Sequence, residues 1–390
     1  MRKICFITGT RAEYGIMSSL MKLLRDTEGV QLQVIATNMH LSARHGYTVR
    51  EIEGDGIKVD EKIPMPEADG TAARTVEAMG VEMEGFAGAL TRLKPDMVVL
   101  LGDRYEMLVA ASAALIFGIP VAHLYGGETT EGAYDDAIRH AITKLSRLHF
   151  TSTEKYRRRI IAMGENPETV HWVGALGADN ISRFTPWPLK RVEESLGADL
   201  GDGFILATFH PVTLERGEEK RQTAAFLKAL ERHLPQRRVL FTMPNADTGG
   251  AEVAAMIEEW SAANPGRVVT CKSLGRERYY TALTLCAAVA GNSSSGLTEA
   301  PSFGVPTVDV GNRQKGREAG PTVVHCEPVE EEIAAALEKA LDPAFLARCK
   351  AHPDNPYARP GTLRRIADVL LTVPLPMPPF KPFYDIEEGE

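Results

Sequence analysis

Cysteine is scarce in this sequence, so chemistry built on it is not expected. The 390 residues include only five cysteines, and no two of them are spaced as CxxC (Cys5, Cys271, Cys286, Cys326 and Cys349). Scattered thiols of this kind are typical of a reduced, cytoplasmic protein and not of a disulfide framework or a zinc site. The histidines show no ligand spacing with the acidic residues, so we expect no metal.

An excess of positive charge and an unbroken hydrophobic run are also missing. Lysine and arginine number 44 against 52 acidic residues, a formal net charge of −8. This balance gives no electrostatic reason to expect nucleic acid or an anionic membrane as a partner. The stretch 107–127 is uncharged, but Gly118 and Pro120 divide it. We therefore expect a helix and a buried strand there and no membrane span, and we expect no secretory signal at the start.

Two nucleotide-binding signatures are absent as well. The sequence contains neither the GxGxxG pattern of dinucleotide-binding proteins nor the GxxxxGK[ST] pattern of P-loop enzymes. We therefore expect no redox cofactor.

What the sequence does contain is an alternation of short β-branched runs with longer helical patterns. Strands are predicted at 3–8, 30–37, 57–63, 97–101, 119–124, 149–152 and 169–173, and again at 204–209, 238–242, 268–271, 287–290, 307–310 and 322–324. Near-continuous apolar strands separated by helices are typical of a parallel sheet covered on both faces. The fold class is thus α/β, with two doubly wound domains in tandem and a cleft between them.

The alternation pauses once, and that pause predicts the domain boundary. Residues 182–203 hold two prolines, several glycines and many charges, which favours an inter-domain linker. We assign residues 1–181 to an N-terminal domain and 204–371 to a C-terminal domain. The tail, 372–390, is rich in proline and then in acidic residues, and we expect it to be extended or disordered.

Glycines and polar side chains collect directly after the predicted strands. In the first half these positions hold GTRAEYG (9–15), GDR (102–104) and YGGE (125–128). In the second half they hold HP (210–211), PNAD (244–247), GNSSSG (291–296) and GNRQ (311–314). Ligands of open α/β sheets bind beyond the carboxyl ends of the strands, so a ligand site is predicted at this end of both sheets.

The GNSSSG turn has the composition of an anion-binding turn. Glycines let the backbone approach a ligand, Ser293 and Ser294 donate hydrogen bonds, and a following helix would present its positive end. Glu299, one turn on, has a carboxylate suited to sugar hydroxyls. The same residues would also suit a plain serine-capped helix.

Three cationic or titratable side chains follow strands in the same way. Arg11 and Arg313 could each pair with a phosphate, or each could form a surface ion pair. His210 could face a ligand or be a buried, hydrogen-bonded histidine. Asn245 and Asp247 could bind a ligand or only shape a turn.

Acidic residues cluster after the fourth and fifth predicted strands. They are Asp103, Glu128, Glu131, Asp135 and Asp136. Neighbouring carboxylates raise one another's pKa, which suits acid–base chemistry. Acidic residues in a first helical turn also interact favourably with the helix dipole, so a purely structural role for the last two remains open.

These motifs, together with HLYGGETTEGAYDDAIRHAITK (123–144), FHPVT (209–213) and GNRQKGRE (311–318), resemble the hydrolysing UDP-N-acetylglucosamine 2-epimerases. The resemblance runs from about residue 3 to residue 370, and the motifs occur in the family's order. It implies a GT-B fold of two Rossmann-like domains, a last helix that returns to the first domain, and a homodimer or larger assembly. The implied reaction converts UDP-N-acetylglucosamine to N-acetylmannosamine and UDP, for sialic-acid-type sugar synthesis, without a cofactor.

The resemblance also implies roles for individual residues. Asp103 and Asp135 match acid–base positions of the family. The positions around the UDP moiety are matched by Arg11, Arg104, His210, Asn245, Ser293, Ser294, Glu299 and Arg313. In that scheme the serines hold phosphates, Glu299 holds the ribose, and His210 contacts the diphosphate or the leaving oxygen.

One position departs from the family pattern. Several relatives carry a catalytic glutamate directly before the GG pair, and here that residue is Tyr125. Either Glu128 or Glu131 has taken over the role, or Tyr125 takes part itself; we favour Glu128.

Several other functions share most of these features. A GT-B glycosyltransferase would keep the nucleotide-binding half and need no base at C2 of the sugar. The same epimerase reaction on a UDP-linked 2,4-diacetamido-2,4,6-trideoxyhexose, of the legionaminic-acid route, would use the same motifs. A non-hydrolysing epimerase and a non-enzymatic sugar-nucleotide sensor complete the alternatives.

Overall fold

The structure is a computed structural model that describes residues 1–66, 71–131, 134–182, 184–212, 215, 217–244, 249–378 and 381–386. Contacts between Cα atoms divide the chain into two compact units. The first unit comprises Met1–Glu128, Asp135–Asn180 and Arg359–Glu390, and the second comprises Thr129–Tyr134 and Ile181–Ala358. The first unit is therefore discontinuous in sequence.

Each unit is built on a parallel β-sheet. The first sheet has seven strands in the order β3-β2-β1-β4-β5-β6-β7, and the second has six in the order β10-β9-β8-β11-β12-β13. The strands are β1 (Arg2–Thr8), β2 (Val30–Thr37), β3 (Glu61–Ile63), β4 (Met97–Leu101), β5 (Val121–Leu124), β6 (Leu148–Thr151), β7 (Val170–Trp172), β8 (Ile205–Thr208), β9 (Val239–Thr242), β10 (Val268–Cys271), β11 (Ala288–Gly291), β12 (Thr307–Val310) and β13 (Val323–Cys326).

Helices connect the strands in both units. They are α1 (Arg11–Arg25), α2 (Val49–Gly54), α3 (Ala72–Leu93), α4 (Tyr105–Ile116), α5 (Asp135–Leu145), α6 (Glu154–Ala162), α7 (Leu176–Ile181), α8 (Leu189–Leu196), α9 (Glu219–Glu231), α10 (Gly250–Ala263), α11 (Gly275–Leu285), α12 (Ser295–Thr298), α13 (Glu330–Leu341), α14 (Pro343–Ala351) and α15 (Thr362–Thr372). Among the described helices, none is both long enough and apolar enough to cross a bilayer.

Both faces of the first sheet are covered, as its sequence predicts. Strand β1 contributes Ile4 and Phe6 to one apolar cluster and Cys5 and Ile7 to another, and all four are fully buried. Alternate residues of a strand point to opposite faces, so a run of consecutive apolar residues is what a doubly covered strand requires. The β1–β2 register is parallel and unbroken from Arg2 opposite Val30 to Thr8 opposite Ala36.

The turn after β1 is closed by a capping box. The side chain of Thr10 accepts the N–H of Glu13, and the carboxyl group of Glu13 accepts the N–H groups of Gly9 and Thr10. Reciprocal bonds of this kind satisfy N–H groups that the first turn of a helix leaves without partners. The GTRAEYG motif thus becomes a fixed strand-to-helix turn with Arg11 as the first helical residue.

A strand lies at each of the thirteen predicted places, although β3 covers only the last three residues of its predicted span. Several helices were not predicted, among them α8, which lies inside the expected linker 182–203. Its Val192 is fully buried in an apolar cluster of the second unit. Through Val192, α8 therefore contributes to the core of that unit.

The last helix and the tail belong to the first unit. Leu363, Ile366 and Leu370 of α15 are buried in the same cluster as Ile4 and Phe6. Beyond α15 the described residues form no regular secondary structure, but side chains anchor them to the first unit. Lys381 donates to the carbonyls of Lys144 and Ser146, both at 2.7 Å, and lies 2.9 Å from Glu165 Oε1.

Glu165 is the centre of a buried charge cluster that holds this tail. Its carboxylate accepts from Lys381, from Lys144 at 2.7 Å and from His149 at 3.0 Å. Burial alone would raise the pKa of Glu165, but the hydrogen bonds from His149, Lys144 and Lys381 lower it from 4.5 to about 2. Burial lowers the pKa of His149, so we take this imidazole as neutral.

We expect Lys381→Met to lower the free energy of unfolding by about 1 to 3 kcal/mol at neutral pH, because it removes one cation from a buried carboxylate. A depressed carboxyl pKa stabilises the fold above pH 4.5, and this stability is lost as the pH falls towards 2. The difference between the variant and the parent should therefore shrink in urea titrations below pH 4. Lys155→Met, at an exposed position on α6, is the control and should change stability little.

Candidate active site

Asp103 lies at the carboxyl end of β4 and is held by a buried arginine. It follows Gly102, whose φ of +84° turns the chain sharply after the strand. The carboxylate of Asp103 forms an ion pair with the guanidinium of Arg139 on α5, whose side chain is only 1% exposed. Arg139 Nη1 also donates to the Glu128 carbonyl at 2.9 Å and lies 3.4 Å from Asp136 Oδ1. One side chain thus links the ends of β4 and β5 to the first turn of α5.

Glu128 lies at the end of the GG turn that follows β5. Its side chain is buried, and Oε1 accepts a hydrogen bond of 2.6 Å from the hydroxyl of Ser152, directly after β6. The turn itself leaves no room for a side chain, because a Cβ on Gly127 would lie 2.7 Å from the carbonyl oxygen of Tyr156. Close packing therefore fixes where the Glu128 carboxylate lies.

Asp135 and Asp136 are the first two residues of α5, and both are half-buried. Asp136 Oδ2 lies 3.5 Å from Nε2 of His140, one turn further along. Burial lowers the pKa of His140, with Asp136 opposing that effect, so the ring is neutral near pH 7. Acidic residues in a first turn stabilise the helix, but here the same turn also adjoins Arg139 and through it Asp103.

Tyr125 occupies the position where the family pattern has a glutamate. Its φ of +66° is unusual for a residue with a side chain. The ring packs against the core cluster that contains Phe6, and the hydroxyl accepts the N–H of Gly177 at 3.2 Å. The side chain therefore engages the core and the backbone of α7.

Arg104 is held by a glutamate that the sequence analysis did not assign. Its Nε donates to Oε1 of the fully buried Glu106 at 2.6 Å. Two further buried carboxyls lie close by, and burial followed by the charge of Glu106 raises the pKa of Glu13 to about 8 and that of Glu82 to about 9. The raised pKa values favour the protonated form of both carboxyls near pH 7.

Arg11 has a surface partner in this structure. Its Nε lies 2.9 Å from Oε2 of Glu51, and both side chains are more than a third exposed. Strands β1 and β4 are parallel neighbours in the sheet. Arg11 therefore lies at the carboxyl-terminal end of the strands, as Asp103 and Arg104 do. The sequence left open a phosphate contact or a surface ion pair for Arg11, and the structure shows the ion pair.

In the second unit, His210 and the GNSSSG turn meet at the ends of β8 and β11. The side-chain amide of Asn292 accepts the N–H of His210 at 2.7 Å and donates to its carbonyl at 2.8 Å. Arg313 Nη1 donates to the backbone carbonyl of Asn292 at 3.1 Å. Burial, and then the charge of Arg313, lowers the pKa of His210 well below its usual value, so this histidine is neutral.

The serines of the turn lie where expected, but the helix after them is short. Ser293 and Ser294 precede α12, which has four residues and passes into a 3-10 turn containing Pro301. Ser294 makes no side-chain cap, so the serine-capped reading does not hold, and a single turn contributes little dipole. Hydroxyl and N–H donors, and not a helix dipole, are what this turn offers an anion.

Glu299 is fixed by a tyrosine of the preceding helix. The hydroxyl of Tyr280 on α11 donates to Glu299 Oε1 at 2.9 Å. Burial raises the pKa of Glu299, while hydrogen bonds from Ser295 and Tyr280 oppose the shift. Asn245, the remaining predicted contact, lies outside the described residues.

Comparison with known proteins identifies the family behind this arrangement. A sequence profile described as UDP-N-acetylglucosamine 2-epimerase matches residues 22–371. The chain belongs to this family.

The names of two relatives specify a hydrolysing reaction. The epimerase is 36% identical over 344 residues to a Campylobacter jejuni protein named GDP/UDP-N,N'-diacetylbacillosamine 2-epimerase (hydrolyzing), and the match covers 88% of each chain. It is 37% identical over 376 residues to a Legionella pneumophila protein named UDP-N,N'-diacetylbacillosamine 2-epimerase (hydrolyzing), a match that covers 96% of this chain and 97% of the relative. The expectation of a hydrolysing UDP-sugar 2-epimerase is confirmed.

A solved structure supports the fold. The epimerase superposes with a TM-score of 0.79 on UDP-GlcNAc 2-epimerase from Neisseria meningitidis bound to UDP-GlcNAc, at 18% identity over 95% of this chain and 99% of that one. The predicted fold class, two Rossmann-like parallel sheets of the GT-B type, is confirmed.

Sequence reasoning missed the residues that hold the candidate groups in place. They are Arg139 beside Asp103, Ser152 beside Glu128, Glu106 beside Arg104, Asn292 beside His210 and Tyr280 beside Glu299. Only Arg139 carried a usable signal, because it lies three residues after Asp136 on a helix, the spacing of an ion pair. Glu106 lies only two residues after Arg104, whereas Ser152, Asn292 and Tyr280 make contacts across the fold that no local spacing reveals.

Proposed function

We propose that this enzyme converts UDP-N,N'-diacetylbacillosamine, a UDP-linked 2,4-diacetamido-2,4,6-trideoxyhexose, to the free C2-inverted sugar and UDP. The names of two relatives that match most of the chain at 36% and 37% identity favour this substrate. UDP-N-acetylglucosamine, from which the family takes its name, is the second candidate and the one that the motif resemblance implies.

The chemistry explains why carboxylates and an anion site are both needed. No carbonyl activates the hydrogen on C2 of the sugar, so its removal alone would be very slow. Cleavage of the C1–O bond must run ahead, so that positive charge at C1 assists loss of the C2 proton. UDP then leaves with the bonding electron pair, and a 2-acetamidoglycal remains. Water adds to C1, and a proton returns to C2 on the opposite face.

The observation that carries this proposal is the buried Arg139 against Asp103. A cation beside a carboxylate favours its charged form, which is the form that accepts a proton. We assign removal of the C2 proton to Asp103. Glu128, held by Ser152, and Asp135, at the start of α5, supply the proton transfers of the hydration step.

Most of the groups that we assign to binding the departing nucleotide lie in the second unit. Arg313 supplies positive charge for the diphosphate, and the serines of the GNSSSG turn supply hydroxyl donors. His210 is neutral, so its ring contributes one hydrogen-bond donor and no charge. Glu299, held by Tyr280, is assigned the ribose hydroxyls. Arg11, Arg104 and Asn245 keep the UDP-binding role that the motifs imply.

The test is incubation with each UDP-sugar in heavy water, followed by NMR. Deuterium at C2 of a free, inverted sugar, formed together with UDP, is the expected result. A higher kcat/KM with the diacetamido sugar than with UDP-N-acetylglucosamine would support the first substrate. Release of UDP without deuterium at C2 would mean hydrolysis or transfer and would refute the proposal.

Glu128→Gln and Tyr125→Phe separate the two candidates for the missing family glutamate. We expect Glu128→Gln to lower kcat about 100-fold or more, because an amide cannot transfer the proton. Tyr125→Phe should keep kcat within about threefold and cost about 1 kcal/mol of stability, since its hydroxyl accepts the backbone N–H of Gly177. The opposite ranking of the two kcat values would move the catalytic role to Tyr125.

A further inference from the structure

Asn292, in the loop after β11, contacts the loops that follow β8 and β12 at once. It is fully buried and follows β11 directly. Its side-chain amide pairs with both backbone groups of His210, after β8, in bonds of 2.7 and 2.8 Å. Its own carbonyl oxygen accepts from Arg313 Nη1 at 3.1 Å and from Gln314 Nε2 at 2.9 Å, both after β12.

The two hydrogen bonds from Asn292 to His210 resemble those between neighbouring strands of a β-sheet. Strand pairing between β8 and β11 ends at Thr208 opposite Gly291. Beyond this pair, the side chain of Asn292 supplies both the acceptor and the donor for the backbone of His210. A side-chain amide offers both a donor and an acceptor at this spacing, which an ionised carboxylate cannot, because it has no donor.

A close backbone contact makes this pairing geometrically possible. Gly291 has a φ of +132°, and a Cβ there would lie 1.8 Å from the carbonyl oxygen of Thr208. The two strand ends therefore approach more closely than residues with side chains allow. Asn292 is thereby held against His210, with its N–H bonded to the Thr208 carbonyl at 3.1 Å.

We infer that Asn292 is a positioning residue for the diphosphate: it fixes His210 and Arg313 in one arrangement before the nucleotide binds. The inference rests on the proposed function, which assigns those two residues to the departing UDP. Its physical basis is preorganisation, since donors already in place lose no conformational freedom when the ligand arrives. Asn292 itself need not touch the substrate.

The experiment compares Asn292→Ala with a matched control, Asn264→Ala, in the full-length enzyme. Asn264 also donates its side-chain amide to a carbonyl, that of Trp260 at 3.0 Å, but at the end of α10. Dissociation constants for UDP and for uridine are measured by calorimetry or by competition, and stability is measured by urea unfolding.

We expect Asn292→Ala to weaken UDP binding about tenfold or more and uridine binding less than twofold, because only UDP carries the diphosphate. Asn264→Ala should leave both constants unchanged even if it lowers the urea midpoint. A wild-type affinity for UDP in Asn292→Ala, or an equal loss for uridine, would overturn the inference. Failure of the parent enzyme to bind UDP would instead count against the proposed function.

Discussion

Asp103→Asn is expected to lower kcat about 10²- to 10⁴-fold, the contribution that a positioned general base makes. The carboxylate is the group beside Arg139, and an amide of the same shape cannot take the C2 proton. UDP affinity should change less than threefold, since Asp103 is assigned to the C2 proton of the sugar and not to the nucleotide. Steady-state kinetics with the UDP-sugar, together with calorimetry of UDP binding, measure the two quantities separately.

Asp136→Asn is the matched control for this variant. Asp136 contacts the same guanidinium, at 3.4 Å, but has no assigned proton transfer. If Asp136→Asn lowered kcat as much as Asp103→Asn does, the loss would come from a displaced Arg139 and not from a missing base. Asp135→Asn, in contrast, is expected to behave like Asp103→Asn, and full turnover in that variant would remove Asp135 from the mechanism.

Arg139→Gln is expected to have the largest effect on stability. The side chain is buried and joins Asp103, Asp136 and the Glu128 carbonyl. Removing one partner of a buried pair is costly, but both carboxylates here are about a quarter exposed and can recover some hydration. We therefore expect a loss of about 2 to 4 kcal/mol, seen as a lower urea midpoint, together with a kcat reduced at least tenfold.

The control for Arg139→Gln is Arg158→Gln on α6. Arg158 also lies within reach of a carboxylate, Glu154, at 3.5 Å, but its side chain is 79% exposed. An exposed pair of this kind contributes little, so the urea midpoint should stay within the error of the parent. If the two variants lost the same free energy of unfolding, the buried contacts of Arg139 would contribute no more to stability than an exposed ion pair.

The sheets were predictable from sequence because their signal is local. A strand covered on both faces needs consecutive apolar residues, and residues 4–7 of β1 and the whole of β4 supply them. The helix α8 was missed for the opposite reason. Pro188 precedes it and Gly197 ends it, so its flanks resemble a linker, and only tertiary contacts of Val192 reveal that it packs in a core.

The polar groups of the candidate site were predictable from the sequence, but the residues that hydrogen-bond to them were not. Strand ends of parallel sheets gather at one edge, so Asp103, Glu128 and His210 could be chosen from sequence position. Their partners come from other segments, such as Ser152 just after β6 and Asn292 just after β11, across 24 and 82 residues of chain. Hydrogen bonds over such separations leave no periodic pattern in the sequence.

The discontinuity of the first unit has a consequence for biosynthesis. Its core cluster includes Leu363, Ile366 and Leu370 of α15, whereas the second unit is complete once Ala358 has been added. A ribosome moving from the amino terminus therefore finishes the second unit before the first has all of its interior. Until α15 emerges, the nascent chain lacks the helix that packs against α1. Chaperone binding during translation should concentrate on that interval.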